Sequence, residues 1–530
     1  MKLVHKEADQ IETSEDIKNK HKEGLMKILL IYPEYENTFW NVKNVLRVLG
    51  KKAPYPPLGL LTVAAMLPNH WEKKLIDMNC ETLKEEHIKW ADYVLISSIV
   101  GQKQSTKKVV NKVQEIGKTV IAGGSLFTTG WEEFSNIDTL VLGESEEIIP
   151  VLVKDMENKN LRKIYSMEEF PAIQKTPIPA WNLINLSYYN SVCIQLSRGC
   201  PFNCEFCDVV QLNGRIPRLK SKEQTIAELD SIYELGWRAG VFVVDDNFIG
   251  NKAILKKELL PAIMKWQKER KYPFILSTQV SINLSDDQKL MDMMTGAGFA
   301  TVFVGIETTD PDSLEECGKY HNKNRNMLES VKKIQNTGFE VNAGFILGFD
   351  SDKKTVFQNQ IDFIQKSGIV VAMVGLLNVS PKSRLHERLK KANRLIDNKD
   401  SSNGNTSELS ELNFIPKMDA GTLINGYEEV LKTIYSSRFY FARIKTFLRE
   451  YKPKKIKPPK VRFYHIRGFL SSLWFLGIRE NGRHYYWSLI LWSIFKRPGL
   501  LPYAIGLPLG LLHFKTLAWA KQYNSYYRES

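Results

Sequence analysis

The chain has 530 residues, of which 43% are hydrophobic and 25% charged. This composition excludes a disordered or fibrous protein, and the length predicts three or four domains of about 100–200 residues each. The formal net charge is +14, and the segment from residue 438 to the end holds 18 Lys and Arg against three Asp and Glu. The basic character therefore belongs to the C-terminal part, which predicts an anionic partner surface, either membrane lipid or nucleic acid.

The N-terminal 26 residues are largely polar, and we predict that they form a disordered extension. They contain no apolar signal segment, which predicts a cytoplasmic protein and argues against a secreted disulfide framework. Clustered cysteines in such a chain indicate metal ligands or catalytic groups. The six cysteines are Cys80, Cys193, Cys200, Cys204, Cys207 and Cys317.

Buried apolar runs alternate with helical segments over residues 27–170. The runs include "MKILLIYP" at 26–33, "ADYVLISSIV" at 91–100 and "TLVLG" at 139–143. Continuous apolar runs suit strands that are buried on both faces, so we predict an α/β domain with a doubly wound, Rossmann-like parallel sheet. In such sheets ligands bind beyond the carboxyl ends of the strands. The candidate binding residues at those ends are Ser97, Ser98, Gly123, Gly124, Gly143 and Glu144, although glycines there are also typical of ordinary turns.

A second strand–helix series occupies residues 180–395. The segment 157–185, which contains Pro171, Pro177 and Pro179, is predicted to connect it to the first series. Six apolar runs, beginning with "SVCIQLSR" at 191–198 and ending with "GIVVAMVGLLN" at 368–378, predict six parallel strands. A partial (βα)6 barrel is the fold expected, with its chemistry at the carboxyl ends of the strands.

Three cysteines follow the first strand of this series directly, in "SRGCPFNCEFCDVV". Cys200, Cys204 and Cys207 are soft thiolate ligands that suit zinc or an iron–sulfur cluster. A structural zinc site is normally closed by four ligands, whereas three ligands leave one metal position open. A chelating substrate could bind at that open position.

This spacing, with the aromatic Phe206 before the last cysteine, resembles the signature of the radical S-adenosylmethionine (SAM) enzymes. The resemblance implies that the cysteines hold three irons of a 4Fe–4S cluster, that SAM chelates the fourth, and that a donor such as flavodoxin or ferredoxin supplies an electron for SAM cleavage. It also implies that residues at later strand ends contact SAM, namely the polar Asp246, Asn247, Thr278 and Glu307 together with Gly344.

An α/β domain ahead of such a barrel resembles the cobalamin-binding radical SAM enzymes, and it implies cobalamin as a further cofactor. Many cobalamin domains carry a D-x-H-x-x-G histidine that ligates cobalt, but the corresponding place here reads "YPEYENTFW". Cobalt then either lacks a histidine ligand from the protein, as in several members of the group, or is not bound. If cobalamin is present, no side chain need act as a conventional nucleophile.

Residues 412–530 are predicted to form a helical, basic and aromatic C-terminal domain. The apolar runs at 484–495 and 499–514 are shorter than the roughly 20 residues of a membrane span, so they indicate an interfacial segment on the inner face of the membrane or a buried helical subdomain. RNA is the other anionic partner that aromatic–basic interleaving suggests. However, the radical SAM methylthiotransferases that modify tRNA carry three further N-terminal cysteines, whereas this chain has only Cys80 there.

The whole layout resembles the hopanoid C-2 methylases and, less closely, the bacteriochlorophyll ring methylases. The resemblance implies C-methylation at an unactivated carbon of an apolar substrate, such as a hopanoid, an isoprenoid or another lipid-like molecule. Two alternatives stay open from the sequence. One is a radical SAM cyclisation or rearrangement without methyl transfer, and the other is a non-catalytic sensor docked on membranes.

Overall fold

The computed structural model describes residues 25–36, 41–396, 412–453 and 463–518. Most of the predicted N-terminal extension and the polar segment 397–411 lie outside these ranges. The described residues form two parallel sheets, each flanked by helices, and a C-terminal group of helices. This arrangement confirms the predicted fold class.

The first sheet has six strands in the order β2-β1-β3-β4-β5-β6, and every pair is parallel. Leu29 and Ile31 of the strand Lys27–Tyr32 pack into one hydrophobic core, while Ile28 and Leu30 pack into the core on the opposite face. Burial on both faces explains why this strand is a continuous apolar run. The strands are β1 (Lys27–Tyr32), β2 (Glu72–Asp77), β3 (Tyr93–Ser97), β4 (Thr119–Gly123), β5 (Thr139–Leu142) and β6 (Ile164–Ser166).

Helices cover both faces of this sheet. They are Lys43–Leu49, Leu58–Met66, Glu85–Trp90, Lys103–Glu115, Ser125–Gly130 and Ile149–Glu157. The short strand β6 lies within the segment that the sequence predicted as a connector, and it pairs with β5 at the edge of the sheet.

The second sheet also has six parallel strands, in the order β14-β13-β12-β11-β10-β7, so it is an open (βα)6 barrel as predicted. A short antiparallel pair, β8 (Ser197–Arg198) and β9 (Arg218–Leu219), follows its first strand. The barrel strands are β7 (Ser191–Ile194), β10 (Gly240–Val243), β11 (Ile275–Val280), β12 (Phe299–Glu307), β13 (Glu340–Leu347) and β14 (Ala372–Leu376). The helices of this region are Val209–Asn213, Lys222–Glu234, Lys252–Ile254, Leu255–Leu259 (a π-helix), Leu260–Glu269, Gln288–Gly296, Pro311–Glu316, Met327–Thr337, Val356–Ser367 and Arg384–Lys391.

The C-terminal helices pack against the last barrel strand, β14, and the residues that lead into it. The Tyr435 hydroxyl donates to the Ala372 carbonyl across 2.6 Å, and the buried guanidinium of Arg443 donates to the Val370 carbonyl across 3.0 Å. These helices are Ala420–Ile434, Ser437–Glu450, Phe463–Ser472, Leu473–Arg479 (a π-helix), Arg483–Lys496, Leu501–Gly506 and Gly510–Ala518. The segment Pro498–Ala518 is long and apolar enough to cross a membrane by length and composition alone, but 44% of its apolar window is buried inside the protein.

Candidate active site

The loop that carries the three cysteines begins at a glycine that cannot be replaced without strain. Gly199 has a φ of +97°, and a Cβ atom there would lie 2.9 Å from the Ile216 carbonyl oxygen and 3.0 Å from those of Asn213 and Gly214. Glycine is the residue that adopts this backbone conformation without a steric penalty. The Cys200 amide donates to the Gly214 carbonyl across 3.1 Å, so the start of the loop is held from both sides.

Two adjacent carboxylates at the end of β10 fix this loop. Asp246 accepts hydrogen bonds of 2.9 Å from the Gly199 amide and from the Asn213 side chain. Asp245 accepts from the Leu196 amide and the Ser197 hydroxyl across 2.8 Å and 2.6 Å. Burial raises the pKa of Asp245 to about 7, and its hydrogen bonds oppose that shift. The two carboxylates therefore position the backbone on either side of Arg198.

The three thiols lie near one another in the loop that follows β7 and β8. Each of them is half-buried, and Cys207 interacts electrostatically with both Cys204 and Cys200. Burial raises the pKa of all three thiols. The Asn247 amide lies 4.0 Å from the Cys200 sulfur and donates to the Ser281 hydroxyl across 3.3 Å. Asn247 thus connects the end of β11 to the cysteine loop.

A buried ion pair lies beside the second cysteine. Glu307 ends β12 with a φ of +63°, and its carboxylate contacts the Lys319 ammonium across 2.7 Å. Burial would lower the pKa of Lys319, but Glu307 and Cys204 outweigh burial and raise it. The ammonium also lies 5.9 Å from the centre of the Phe206 ring. A Cβ atom at Gly344 would lie 3.7 Å from the Glu307 carboxylate, which places that glycine against the same ion pair.

A second ion network holds the segment between Cys204 and Cys207. Glu205 forms two hydrogen bonds with Arg388, of 2.7 Å and 2.9 Å. Arg388 also contacts Asp350 across 2.7 Å and Glu316 across 3.1 Å. Bidentate arginine–carboxylate pairs fix orientation as well as charge. The network therefore ties the cysteine loop to the helix Arg384–Lys391.

A cavity of about 430 Å³ lies between the carboxyl ends of the first sheet and the barrel. Gly143 has a φ of +87°, and a Cβ atom there would meet no atom within 4 Å, so this position faces open space. At Gly124 a Cβ atom would lie 2.7 Å from the Ser98 carbonyl oxygen, so that turn requires glycine. All six binding residues predicted for this domain line the cavity: Ser97, Ser98, Gly123, Gly124, Gly143 and Glu144. The residues that line it include no histidine among those described.

Side chains from the barrel complete the wall of this cavity. Gln195, Arg198 and Asn213 all line it, and Arg198 directly precedes the cysteine loop. The Arg198 guanidinium contacts Glu144 across 2.5 Å and Glu146 across 2.8 Å. Glu144 also pairs with Arg218. The carboxylate of Glu144 therefore links the end of the first sheet to the barrel at the wall of the cavity.

Two of the predicted binding hydroxyls are engaged within the protein. The Thr278 hydroxyl donates to the Val243 carbonyl across 2.9 Å and is buried. The Ser98 and Thr106 hydroxyls lie 2.8 Å apart, also buried. The sequence reasoning did not single out Lys319, Arg388 or Glu205, although Glu205 lies inside the cysteine motif.

The donor set fits an iron–sulfur cluster better than a single metal ion. Among the described residues, no three His, Cys, Asp or Glu side chains converge as they would around one ion. In a cluster each thiolate holds a different iron, so the three sulfurs need not converge. A thiol that ligates iron must lose its proton, and the positive charge of the iron then offsets the cost of burying the negative thiolate. The cavity is open at Gly143, where the absence of a side chain would let a bound ligand approach the backbone closely.

Family models match three successive parts of the chain. The B12 binding domain model matches residues 47–153, the Radical SAM superfamily model matches residues 194–364, and a domain of unknown function (DUF4070) matches residues 383–523. The first match covers β2 to β5 of the sheet that borders the cavity, and the second covers the cysteine loop and the barrel strands β10 to β13.

Two curated relatives match almost the whole chain. An uncharacterized methyltransferase of Synechocystis sp. is 38% identical over 92% of this chain and 91% of its own length. The hopanoid C-2 methylase of Rhodopseudomonas palustris is 32% identical over 88% of this chain and 89% of its own length.

A solved structure shows the same fold. The cobalamin-dependent SAM radical enzyme OxsB, with aqua-cobalamin and SAM bound, superposes with a TM-score of 0.61 at 15% identity, over 96% of this chain and 81% of that chain. The chain therefore belongs to the cobalamin-binding radical SAM enzymes, in the methyltransferase group that includes the hopanoid C-2 methylase, and its cofactors are a 4Fe–4S cluster, SAM and cobalamin.

Proposed function

We propose that the chain is a C-methyltransferase that adds a methyl group to an unactivated carbon of an apolar, hopanoid-, isoprenoid- or lipid-like molecule. One observation carries the proposal: the cysteine loop and the cavity beside the first sheet share structural residues. Asn213 lines the cavity and hydrogen-bonds to Asp246, which in turn holds the amide of Gly199 next to Cys200. A group bound in the cavity would therefore lie close to the cysteine loop.

The residues have separate roles in this proposal. Cys200, Cys204 and Cys207 hold three irons, and the backbone at the ends of β3, β4 and β5 cradles cobalamin. When bound, the cluster and SAM activate the substrate carbon and cobalamin carries the methyl group. The proposed SAM contacts are Phe206, Asp246, Asn247, Thr278, Glu307 and Gly344, and the proposed cobalamin contacts are Ser97, Ser98, Gly123, Gly124, Gly143 and Glu144.

The protein's own side chains supply position and a closed environment rather than a nucleophile. Asp246 and Asn247 hold the cysteine loop through hydrogen bonds to Gly199 and, over a longer distance, to Cys200. The pair of Glu307 and Lys319 places a fixed, buried cation beside Cys204. A buried cation next to a thiolate stabilises its negative charge.

The relative with a named substrate supports the apolar part of the proposal. The hopanoid C-2 methylase is similar over 88% of this chain, a share that extends beyond the first sheet and the barrel. In our proposal the enzyme is peripheral on the cytoplasmic face of the membrane and receives its electron from a flavodoxin or ferredoxin. We propose the same domain division as the sequence indicates, with boundaries at 27–170, 180–395 and 412–530.

The proposal is tested with SAM that carries a deuterated methyl group. The anaerobically reconstituted enzyme, supplied with cobalamin and a strong reductant, is incubated with a lipid extract, and the apolar products are analysed by mass spectrometry. We expect one labelled methyl group in an apolar product, and none with the Cys204→Ala variant. A product without added mass, formed only by the wild type, would instead indicate cyclisation or rearrangement.

A further inference from the structure

The C-terminal helices expose large apolar side chains along two adjoining stripes, which we call the apolar face. Phe495 is 79% exposed and Trp474 is 52% exposed. On the first segment, Phe463–Arg479, the stripe follows helical spacing, and the second helix, Arg483–Lys496, repeats it. The apolar face comprises Ile466, Phe469, Leu470, Trp474 and Ile478 on the first segment and Trp487, Leu491, Ile494 and Phe495 on the second.

The exposed side chains lie on the outer sides of two helical segments, and the inner sides of these segments pack closely against each other. The Trp487 indole donates to the Gly477 carbonyl across 3.0 Å, and a Cβ atom at Gly477 would lie 3.2 Å from that ring. The Tyr486 and Ser472 hydroxyls, both buried, lie 3.0 Å apart. A shallow groove beside the second stripe is lined by Gly477, Arg483, His484, Trp487, Ser488 and Leu491. The inner contacts fix which sides remain outside.

The apolar face differs from the scattered apolar residues that are normal on protein surfaces. Single exposed leucines need no explanation, whereas a contiguous patch rimmed by polar residues marks an interaction site. Here the rim is basic, because Arg479 and Arg483 flank the turn between the helices and Lys496 ends the second helix, all exposed. Exposed tryptophans, here Trp474 and Trp487, are enriched where proteins meet the membrane–water boundary.

We propose that the apolar face inserts into the headgroup region of an anionic lipid bilayer, with the flanking cations on lipid phosphates. An amphipathic helix with apolar and aromatic residues on one face and basic residues beside them lies in the plane of the membrane. The charge balance of the C-terminal part, 18 basic against three acidic residues, favours an anionic surface over a neutral one. The face would bring the enzyme to a bilayer that holds an apolar substrate. Only this role, bringing the enzyme to its substrate, rests on the proposed function.

Of the two apolar runs that the sequence indicated, the structure exposes part of one and buries much of the other. The run at 484–495 carries the second exposed stripe. Of the two apolar runs, the one at 499–514 contributes the buried side chains of Leu500, Ala504, Leu511 and Phe514 to the core. The exposed stripe on Phe463–Arg479, by contrast, lies outside both runs. Docking is therefore assigned to the outer sides of two helices and not to insertion of the most apolar segment.

Binding to vesicles tests this assignment without measuring methyl transfer. The full chain is sedimented with phosphatidylcholine vesicles that do or do not contain phosphatidylglycerol. We expect binding to the anionic vesicles and much weaker binding to the neutral ones. In a variant with four exposed substitutions, the partition coefficient should fall by at least about tenfold. These substitutions are Leu470→Ser, Trp474→Ser, Leu491→Ser and Phe495→Ser.

Matched controls separate the apolar face from apolar exposure in general. Leu235 and Ile415 are 51% and 53% exposed but lie elsewhere, so Leu235→Ser and Ile415→Ser should bind vesicles as the wild type does. The charge variant Arg479→Gln/Arg483→Gln/Lys496→Gln should lose the preference for anionic vesicles. Equal vesicle binding by the wild type and the four-residue variant would overturn the proposal. So would a wild-type dimer in light scattering that this variant converts to a monomer, because the face would then join two copies. If vesicle binding holds but no methyl group is transferred, the proposed function fails and the docking surface stands.

Discussion

Gly199→Ala tests how the cysteine loop is held. An L-residue in the left-handed backbone region costs about 1–2 kcal/mol, and the φ at this position is +97°. The new methyl group would also lie 2.9–3.0 Å from three backbone carbonyl oxygens, which cannot rotate away as a side chain could. We expect the free energy of unfolding to fall by about 3 kcal/mol or more, and the loop to move away from its hydrogen bonds.

The decisive assay compares Gly199→Ala with Gly117→Ala. Gly117 has a φ of +77°, but a Cβ atom there meets nothing within 4 Å, so that variant reports the backbone strain alone. Denaturant unfolding should show a loss of about 1–2 kcal/mol for Gly117→Ala. Iron retention against a chelator should fall by about 10–100-fold for Gly199→Ala and stay unchanged for Gly117→Ala. Equal unfolding of the two variants, together with a wild-type cluster in Gly199→Ala, would refute the reasoning.

Three further changes test other parts of the structure. Burial raises the pKa of Glu340 to about 7, so the folded state binds its proton more tightly than the unfolded state, and the stability this group contributes is lost as the pH rises from about 4.5 to 7. Relative to wild type, the free energy of unfolding of Glu340→Gln, measured with denaturant, should therefore rise by up to about 3 kcal/mol at pH 8 and by little at pH 5. An equal gain at both pH values would contradict this. Arg198→Gln leaves the buried Glu144 with one arginine partner fewer. It should lower the free energy of unfolding, measured by denaturation, by about 3 kcal/mol and weaken cobalamin binding, measured by absorbance titration. Unchanged values would show that the ion pair of Arg198 and Glu144 does not support the cavity. Arg388→Gln releases Glu205 between two cysteines and should shift the reduction potential and electron paramagnetic resonance signal of the cluster, whereas an unaltered signal would limit Arg388 to a role in stability.

Much of the fold follows from patterns that are local in sequence. The run "KILLIY" predicts β1 because its five residues after the lysine pack into one or the other of two cores. Apart from β6, the strands of both sheets begin and end within a few residues of the predicted runs. The edge strand Ile164–Ser166 was missed because three residues are too few to show a period. Its pairing with β5 is a long-range contact that propensity does not encode.

The candidate site likewise combines residues that follow from local sequence with residues that depend on long-range contacts. The cysteine spacing is local, so the sequence alone suffices to propose Cys200, Cys204 and Cys207 as cluster ligands. The ion pairs of Lys319 and Arg388 could not be predicted, because they join residues that meet only when the barrel folds and the helix Arg384–Lys391 packs against it. Thr278 illustrates the reverse: its position at a strand end suggested a ligand contact, and whether it contacts SAM stays a prediction, since its hydroxyl donates to Val243.

Formation of 5′-deoxyadenosine is the most direct test of the central claim, that the three cysteines hold a cluster that cleaves SAM beside bound cobalamin. The anaerobically reconstituted protein is given SAM, cobalamin and a strong reductant, and 5′-deoxyadenosine and S-adenosylhomocysteine are quantified. The variants Cys204→Ala and Cys193→Ala are assayed in parallel, since Cys193 is a buried thiol outside the motif. We predict both products and bound cobalamin for the wild type and Cys193→Ala, and no 5′-deoxyadenosine for Cys204→Ala. An intact, reduced cluster that forms no 5′-deoxyadenosine in the presence of a lipid extract, or undiminished formation by Cys204→Ala, would contradict the claim.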